Sequence, residues 1–271
     1  VLLADPGYPC NRHFVRMFEG HVVSIPVGPK HGFQLSAELI RRHWTEKTVA
    51  VLVASPSNPT GTVIANSEME AITRAVDELG GTLIVDEIYH GLTYDHQGGR
   101  IGSALAYSPA TIIINSFSKY YGMTGWRVGW MVAPVSLLDA IERLAQNIFI
   151  ATSTPAQYAA LAAFSDEVVA ELDRRRDIFC QRRDYLIPAL RSLGFDIPLI
   201  PQGAFYVYAD CSRFTDDSYQ FVLEVLEKAR VAITPGVDFG QHQPQRYVRF
   251  SYATDIKNLE IAVQRMRAFL T

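Results

Sequence analysis

Short β-branched runs alternate with helical patterns through the first half of the chain, and this alternation restricts the fold more than any other feature. Strand-like runs lie at residues 1–4, 21–27, 48–54, 82–85, 111–115 and 127–132. Helical patterns at 11–19, 36–43 and 67–79 fall between several of them, the last ended by Gly80-Gly81. The runs at 48–54 and 111–115 are almost wholly apolar, as expected of strands buried on both faces. Strand and helix in alternation predict an α/β fold with a mainly parallel sheet and crossover connections.

Beyond residue 132 the texture changes. Helices are expected at 134–149 and 155–164, followed by a long charged stretch, 166–193, whose Asp173-Arg-Arg-Arg-Asp177 run reads as a solvated helix face. Strand candidates at 204–209, 231–233 and 247–252 then interleave with helices at 217–228 and 255–269. The expected organisation is a large domain over 1–165, then a long connecting helix and a smaller α+β domain over 166–271.

Composition narrows the function. With 48% hydrophobic and 20% charged residues among 271, a sizeable core is available. A net charge of −3 argues against nucleic-acid binding by phosphate neutralisation. Cys10, Cys180 and Cys211 form no CxxC pair and no disulfide framework, which points to a reducing cytoplasm. No apolar run reaches the roughly 18 residues of a transmembrane helix, so no membrane partner is expected. There is no GxxxxGK[ST] loop, no GxGxxG turn, no HExxH and no Cys/His ligand cluster, so no metal is expected either. Only five of the 25 basic residues are lysines, which makes each one worth inspecting.

In open α/β sheets ligands sit beyond the carboxyl ends of the strands. Those ends here carry Ser55-Pro-Ser-Asn-Pro-Thr-Gly61, Asp86-Glu-Ile-Tyr89 and Ser116-Phe-Ser-Lys119. Singly, each has an ordinary explanation: turn chemistry for the first, a helix cap for Asp86, a solvated lysine for Lys119. Together they place an amide, a carboxylate, a phenol and an amine on one rim, which suits a pyridine aldehyde cofactor. The amine can form a Schiff base and move a proton, and a carboxylate beside the pyridine nitrogen keeps it protonated. Ser116, Ser118 and Arg127 offer hydroxyls and a guanidinium for a phosphate.

Asp5-Pro-Gly-Tyr-Pro9, Asn58-Pro-Thr-Gly61, Asp86-Glu-Ile-Tyr89 and the segment from Ser116 through Lys119 and Arg127 to Gly129 resemble, in order and spacing, the motifs of class I/II aminotransferases. These are fold-type I enzymes using pyridoxal 5′-phosphate, and the similarity continues through Tyr247-Val-Arg-Phe-Ser-Tyr252. The resemblance implies transfer of an amino group from an L-amino acid to a 2-oxo acid by a ping-pong cycle, in a cytoplasmic homodimer when full length. It implies that Lys119 carries the cofactor, that Asp86 pairs with its ring nitrogen, and that Tyr89 and Asn58 contact its ring oxygen. Ser116, Ser118 and Arg127 fall on the phosphate side, Tyr8 stacks on the ring, and Arg249, with Asn58 beside it, receives the substrate carboxylate. Arg246 lies close enough in sequence to be confused with Arg249, and His90 is expected at the surface. The same residues would serve a carbon–sulfur lyase of this fold or a cofactor-sensing domain of a transcription regulator. The chain opens on Val1 inside a strand-like run, and the family's N-terminal arm and phosphate loop have no counterpart before Pro6-Gly7-Tyr8. The resemblance therefore implies a member whose N-terminal portion is missing, with an incomplete large-domain sheet and no activity of its own.

Overall fold

A computed structural model describes residues 1–94 and 101–271. In chain order the elements are β1 (Leu2–Asp5), α1 (Pro9–Met17), β2 (Val23–Pro26), α2 (Ala37–His43), β3 (Ala50–Ala54), α3 (Asn66–Glu78), β4 (Thr82–Asp86), β5 (Ile112–Ser116) and β6 (Gly129–Val132). They continue with α4 (Val135–Ile148), α5 (Thr154–Ala162), α6 (Asp166–Leu193), β7 (Tyr206–Asp210), α7 (Ser218–Glu224), β8 (Thr234–Pro235), β9 (Tyr247–Ser251) and α8 (Ile256–Leu270). Two compact units divide the chain. One takes residues 1–2, 36–56 and 64–176; the other takes 3–35, 57–63 and 177–271.

In the first unit β3, β4 and β5 run parallel, and β6 returns antiparallel beside β5. The sequences Ala-Val-Leu-Val-Ala, Thr-Leu-Ile-Val-Asp and Ile-Ile-Ile-Asn-Ser have the β-branched content that a sheet covered on both faces requires. Register aligns their carboxyl ends: Ala54 pairs with Asp86, and Asp86 with Ile114, two residues before Ser116. The crossover between β3 and β4 is α3, whose Met69, Ile72, Ala75 and Val76 are buried at helical spacing. Gly129 of β6 pairs with Ser116, so the chain just ahead of β6 is held beside the segment that follows β5.

The second unit carries an antiparallel three-stranded sheet in the order β7-β9-β8, with Tyr208 opposite Arg249 and Arg249 opposite Thr234. Phe33, Tyr208, Phe239 and Tyr247 form an aromatic core in this unit, with Tyr208 and Tyr247 stacked at 4.7 Å. The Val27 N–H donates to the Asp5 carbonyl at 2.9 Å and holds the ends of β1 and β2 together. The expectation of a large domain left incomplete at its N-terminus needs correction on one physical ground. The opening residues are themselves core, since β1 starts at Leu2 with Leu2 and Leu3 only 0% and 6% exposed.

Candidate active site

Strand ends of the first unit supply one cluster. Asp86 ends β4, and its carboxylate accepts the Ile88 N–H at 3.1 Å. Burial pushes the Asp86 carboxyl up to about 6, while the Ile88 amide and the Lys119 charge pull it down and neighbouring Glu87 raises it further. Lys119 stands on a tight turn after β5, closed by bonds from Gly122 N–H to the Lys119 carbonyl and from Met123 N–H to the Phe117 carbonyl, each 3.0 Å. Its Nζ lies 5.5 Å from the centroid of the buried Tyr89 ring, within cation–π range.

The serines beside that turn are tied to each other. Ser116 Oγ donates to Ser118 Oγ and accepts the Ser118 N–H, both at 3.0 Å. Arg127 donates from its Nη1 atom to the Thr124 carbonyl at 2.8 Å and reaches Ser118 Oγ at 3.4 Å. Its backbone is left-handed, at φ 51°, which costs an arginine about 1–2 kcal/mol. Two hydroxyls and a guanidinium thus converge at one edge, as binding of a phosphate dianion requires. The Asp86 carboxylate is partly buried, at a cost that a protonated ring nitrogen would offset. This donor set fits pyridoxal 5′-phosphate.

The second unit supplies another cluster. Arg249 on β9 donates to Asn58 Oδ1 at 2.8 Å and to Thr234 Oγ1 at 3.2 Å. Its guanidinium lies between the Tyr206 and Phe239 rings, at 4.3 and 4.8 Å from their centroids. Asn58 is buried in a turn closed by Ser57 N–H to the Thr62 carbonyl and Gly61 N–H to the Ser57 carbonyl. Gly61 has φ 66°, and an added Cβ would fall 2.5 Å from Pro201 Cβ, so the turn admits only glycine. A cavity of about 410 Å³ lies over these groups, lined by Tyr8, Arg12, His13, Asn58, Phe239 and Arg249 among others.

Arg246 is separated from Arg249 by its partner: it pairs with Asp210 at 2.6 Å and does not line this cavity. His90 is partly buried rather than at the surface, 3.3 Å from Glu87. Several neighbours escaped the sequence reading. Thr234, Tyr206 and Phe239 surround Arg249; the strand pairing of β7 and β8 with β9 identifies the first two, and only the ring contact with Arg249 identifies Phe239. Glu87 is buried and accepts the Ala104 N–H at 2.9 Å and the Ser103 hydroxyl at 3.0 Å, although in sequence it looks like a charge in a turn.

Comparison with known proteins bears on this arrangement. The family model described as aminotransferase class I and II matches residues 1–266. The chain is 41% identical over 271 residues to a valine–pyruvate aminotransferase of Mycobacterium tuberculosis, covering all of this chain and 69% of that protein. A crystal structure of an aminotransferase from Mycobacterium tuberculosis superposes with a TM-score of 0.95 at 40% identity, over 99% of this chain and 69% of the other. The aspartate aminotransferase of Thermus thermophilus with maleate does so with a TM-score of 0.92 at 34% identity, over 99% and 69%. The match from the first residue corrects the expectation of a family member whose N-terminal portion is missing. Among the described residues, no helix is long and apolar enough to cross a membrane. On the family match and the relatives together, the chain belongs to the class I and II aminotransferases and is an enzyme that uses pyridoxal 5′-phosphate on amino acids and 2-oxo acids.

Proposed function

We propose that the residues of the two clusters divide the work of amino transfer as follows. When bound, pyridoxal 5′-phosphate supplies an aldehyde that condenses with amines and a ring that accepts the electron pair left by a departing α-proton. Lys119 Nζ would hold the cofactor and would take the α-proton of the amino acid. Asp86 keeps the ring nitrogen protonated, and the Tyr89 hydroxyl and Asn58 amide orient the ring oxygen. Ser116, Ser118 and Arg127 hold the phosphate. Tyr8 stacks on the ring, and the Arg249 guanidinium grips the substrate carboxylate by a two-point fork. The protein is proposed to act as a homodimer in the cytoplasm.

The observation that carries this reading is the Lys119 ammonium set over Tyr89, with its charge acting on the partly buried Asp86 carboxylate. Borohydride reduction of the holoenzyme followed by peptide mapping tests it. The pyridoxyl label should fall on Lys119, and a label on Lys30, Lys47, Lys228 or Lys257 would contradict the assignment. The name of the Mycobacterium tuberculosis relative makes valine and pyruvate the first donor and acceptor to try in a panel of amino acids and 2-oxo acids.

A further inference from the structure

Asp5 lies just ahead of the Pro6-Gly7-Tyr8 turn and is buried, 6% exposed. Its carboxylate accepts the Gln241 N–H at 3.1 and 2.9 Å on its two oxygens and the His242 N–H at 3.3 Å. Two further bonds join the same segments: Gly7 N–H to the Phe239 carbonyl, and an Arg12 guanidinium nitrogen to the Asp238 carbonyl, each 2.9 Å. The fit admits no side chain at residue 240, where a Cβ would stand 1.7 Å from Asp5 Oδ1. Segment 236–242 also carries Phe239, one of the two rings that enclose the Arg249 guanidinium. Both segments line the cavity over Arg249, through Tyr8, Arg12, Val237, Asp238 and Phe239.

We infer that Asp5 is a positioning residue for substrate binding: its carboxylate clips segment 236–242 in place, so that Phe239 holds the Arg249 fork in the orientation a substrate carboxylate needs. The inference rests on the reading of Arg249 as the carboxylate-binding group. A carboxylate bonded to successive backbone amides is a rigid anchor, because the charge strengthens each bond and the amides cannot rotate away. Without it the 236–242 segment is tied to residues 7–12 only through the Gly7–Phe239 backbone bond and the Arg12–Asp238 bond, and the stretch at Gln241 and His242 loses its anchor. Phe239, then held to Gly7 by a single backbone bond, can shift, and a bidentate site displaced by about 1 Å loses much of its effect.

The test compares holoenzyme variants Asp5→Ala, Asp5→Asn, Gly240→Ala and Arg249→Lys by steady-state kinetics and by hydrogen–deuterium exchange of the peptide covering 236–243. In Asp5→Ala, the Gln241 and His242 amides should exchange faster. KM for donor and acceptor should rise together by about tenfold, the scale of losing charged hydrogen bonds. A change in kcat of less than about threefold is expected, since the groups that move the proton are untouched. Asp5→Asn keeps one acceptor oxygen and should fall between Asp5→Ala and the parent. It decides the matter by the same readings if Asp5→Ala fails to fold. Gly240→Ala should also raise KM, and its effect should shrink in the Asp5→Ala background, where the clash partner is gone. Faster exchange with unchanged KM would overturn the inference, as would unchanged exchange. If Arg249→Lys raises KM and the Asp5 variants do not, the clip fails while the Arg249 reading stands. If Arg249→Lys leaves KM untouched, both fall.

Discussion

Replacing Asp86 by Asn should stabilise the enzyme without its cofactor and cripple it with the cofactor bound. The carboxyl titrates near 6 in the folded chain against 3.8 ordinarily, because burial penalises its charge. The native state therefore binds this proton more tightly than the unfolded chain does. Stability then falls as pH rises from about 4 to about 6, and the full cost remains above that window. That difference corresponds to about 3 kcal/mol. Asn has nearly the same shape, keeps an oxygen for the Ile88 N–H and carries no charge. Cofactor-free Asp86→Asn should thus exceed the parent by up to about 3 kcal/mol at pH 8 and by nearly nothing below pH 4. Urea unfolding of both proteins at several pH values measures the gap, and titrating groups that do not interact with Asp86 cancel in the difference. In the holoenzyme the sign should reverse under the role proposed for Asp86, in which its charge would hold the ring-nitrogen proton, and turnover should collapse. A gap that did not depend on pH, or near-normal turnover of the variant, would refute the reasoning.

Lys119→Ala should slow transamination by about 10²–10⁴-fold, the usual loss for a positioned general base, and retained turnover in rapid-mixing experiments would exclude Lys119 from proton transfer. Arg249→Lys should lower kcat/KM for every amino acid by about tenfold or more, since an ammonium cannot reproduce the fork, while the cofactor absorbance stays unchanged. A fall in cofactor affinity that spared the substrates would move Arg249 out of the substrate site. Gly61→Ala combines a left-handed backbone with contacts of 2.5 Å to Pro201 Cβ and 2.8 Å to the Gly203 carbonyl. It should destabilise the protein by at least about 2 kcal/mol, and an unchanged denaturation midpoint would count against that account of the turn.

The parts of this molecule legible in its sequence are those decided locally. Strands β3, β4 and β5 announce themselves because both faces are covered, and their ends bring Asp86 and Ser116 to one edge by register alone. The long helix was readable to the residue, 166–193, and it continues through Pro188. Where a strand depends on its partner, the reading slips. A strand was expected at 231–233, but Arg230 turns left-handed at φ 56°, and pairing begins only where Thr234 meets Arg249. The strand expected from 127 starts instead at Gly129, because Arg127 is held in a left-handed turn that brings its guanidinium back to Ser118.

Asp5 shows the limit most clearly. In sequence it is an acidic residue before Pro-Gly, ordinary for a turn, and Gly240 is an ordinary loop glycine. Each becomes specific only through the other, across more than 230 residues. No local pattern encodes a bond of that kind, since the amides that receive the carboxylate belong to every residue type alike. What the sequence can register is the absence of a side chain at 240, which acquires meaning only once the carboxylate 1.7 Å from the missing Cβ is known. The same holds for Phe239, an apolar residue in a loop until its ring is found against Arg249. Residues that bind chemistry directly carry their chemistry in their type, whereas residues that hold them in place carry it only in their contacts.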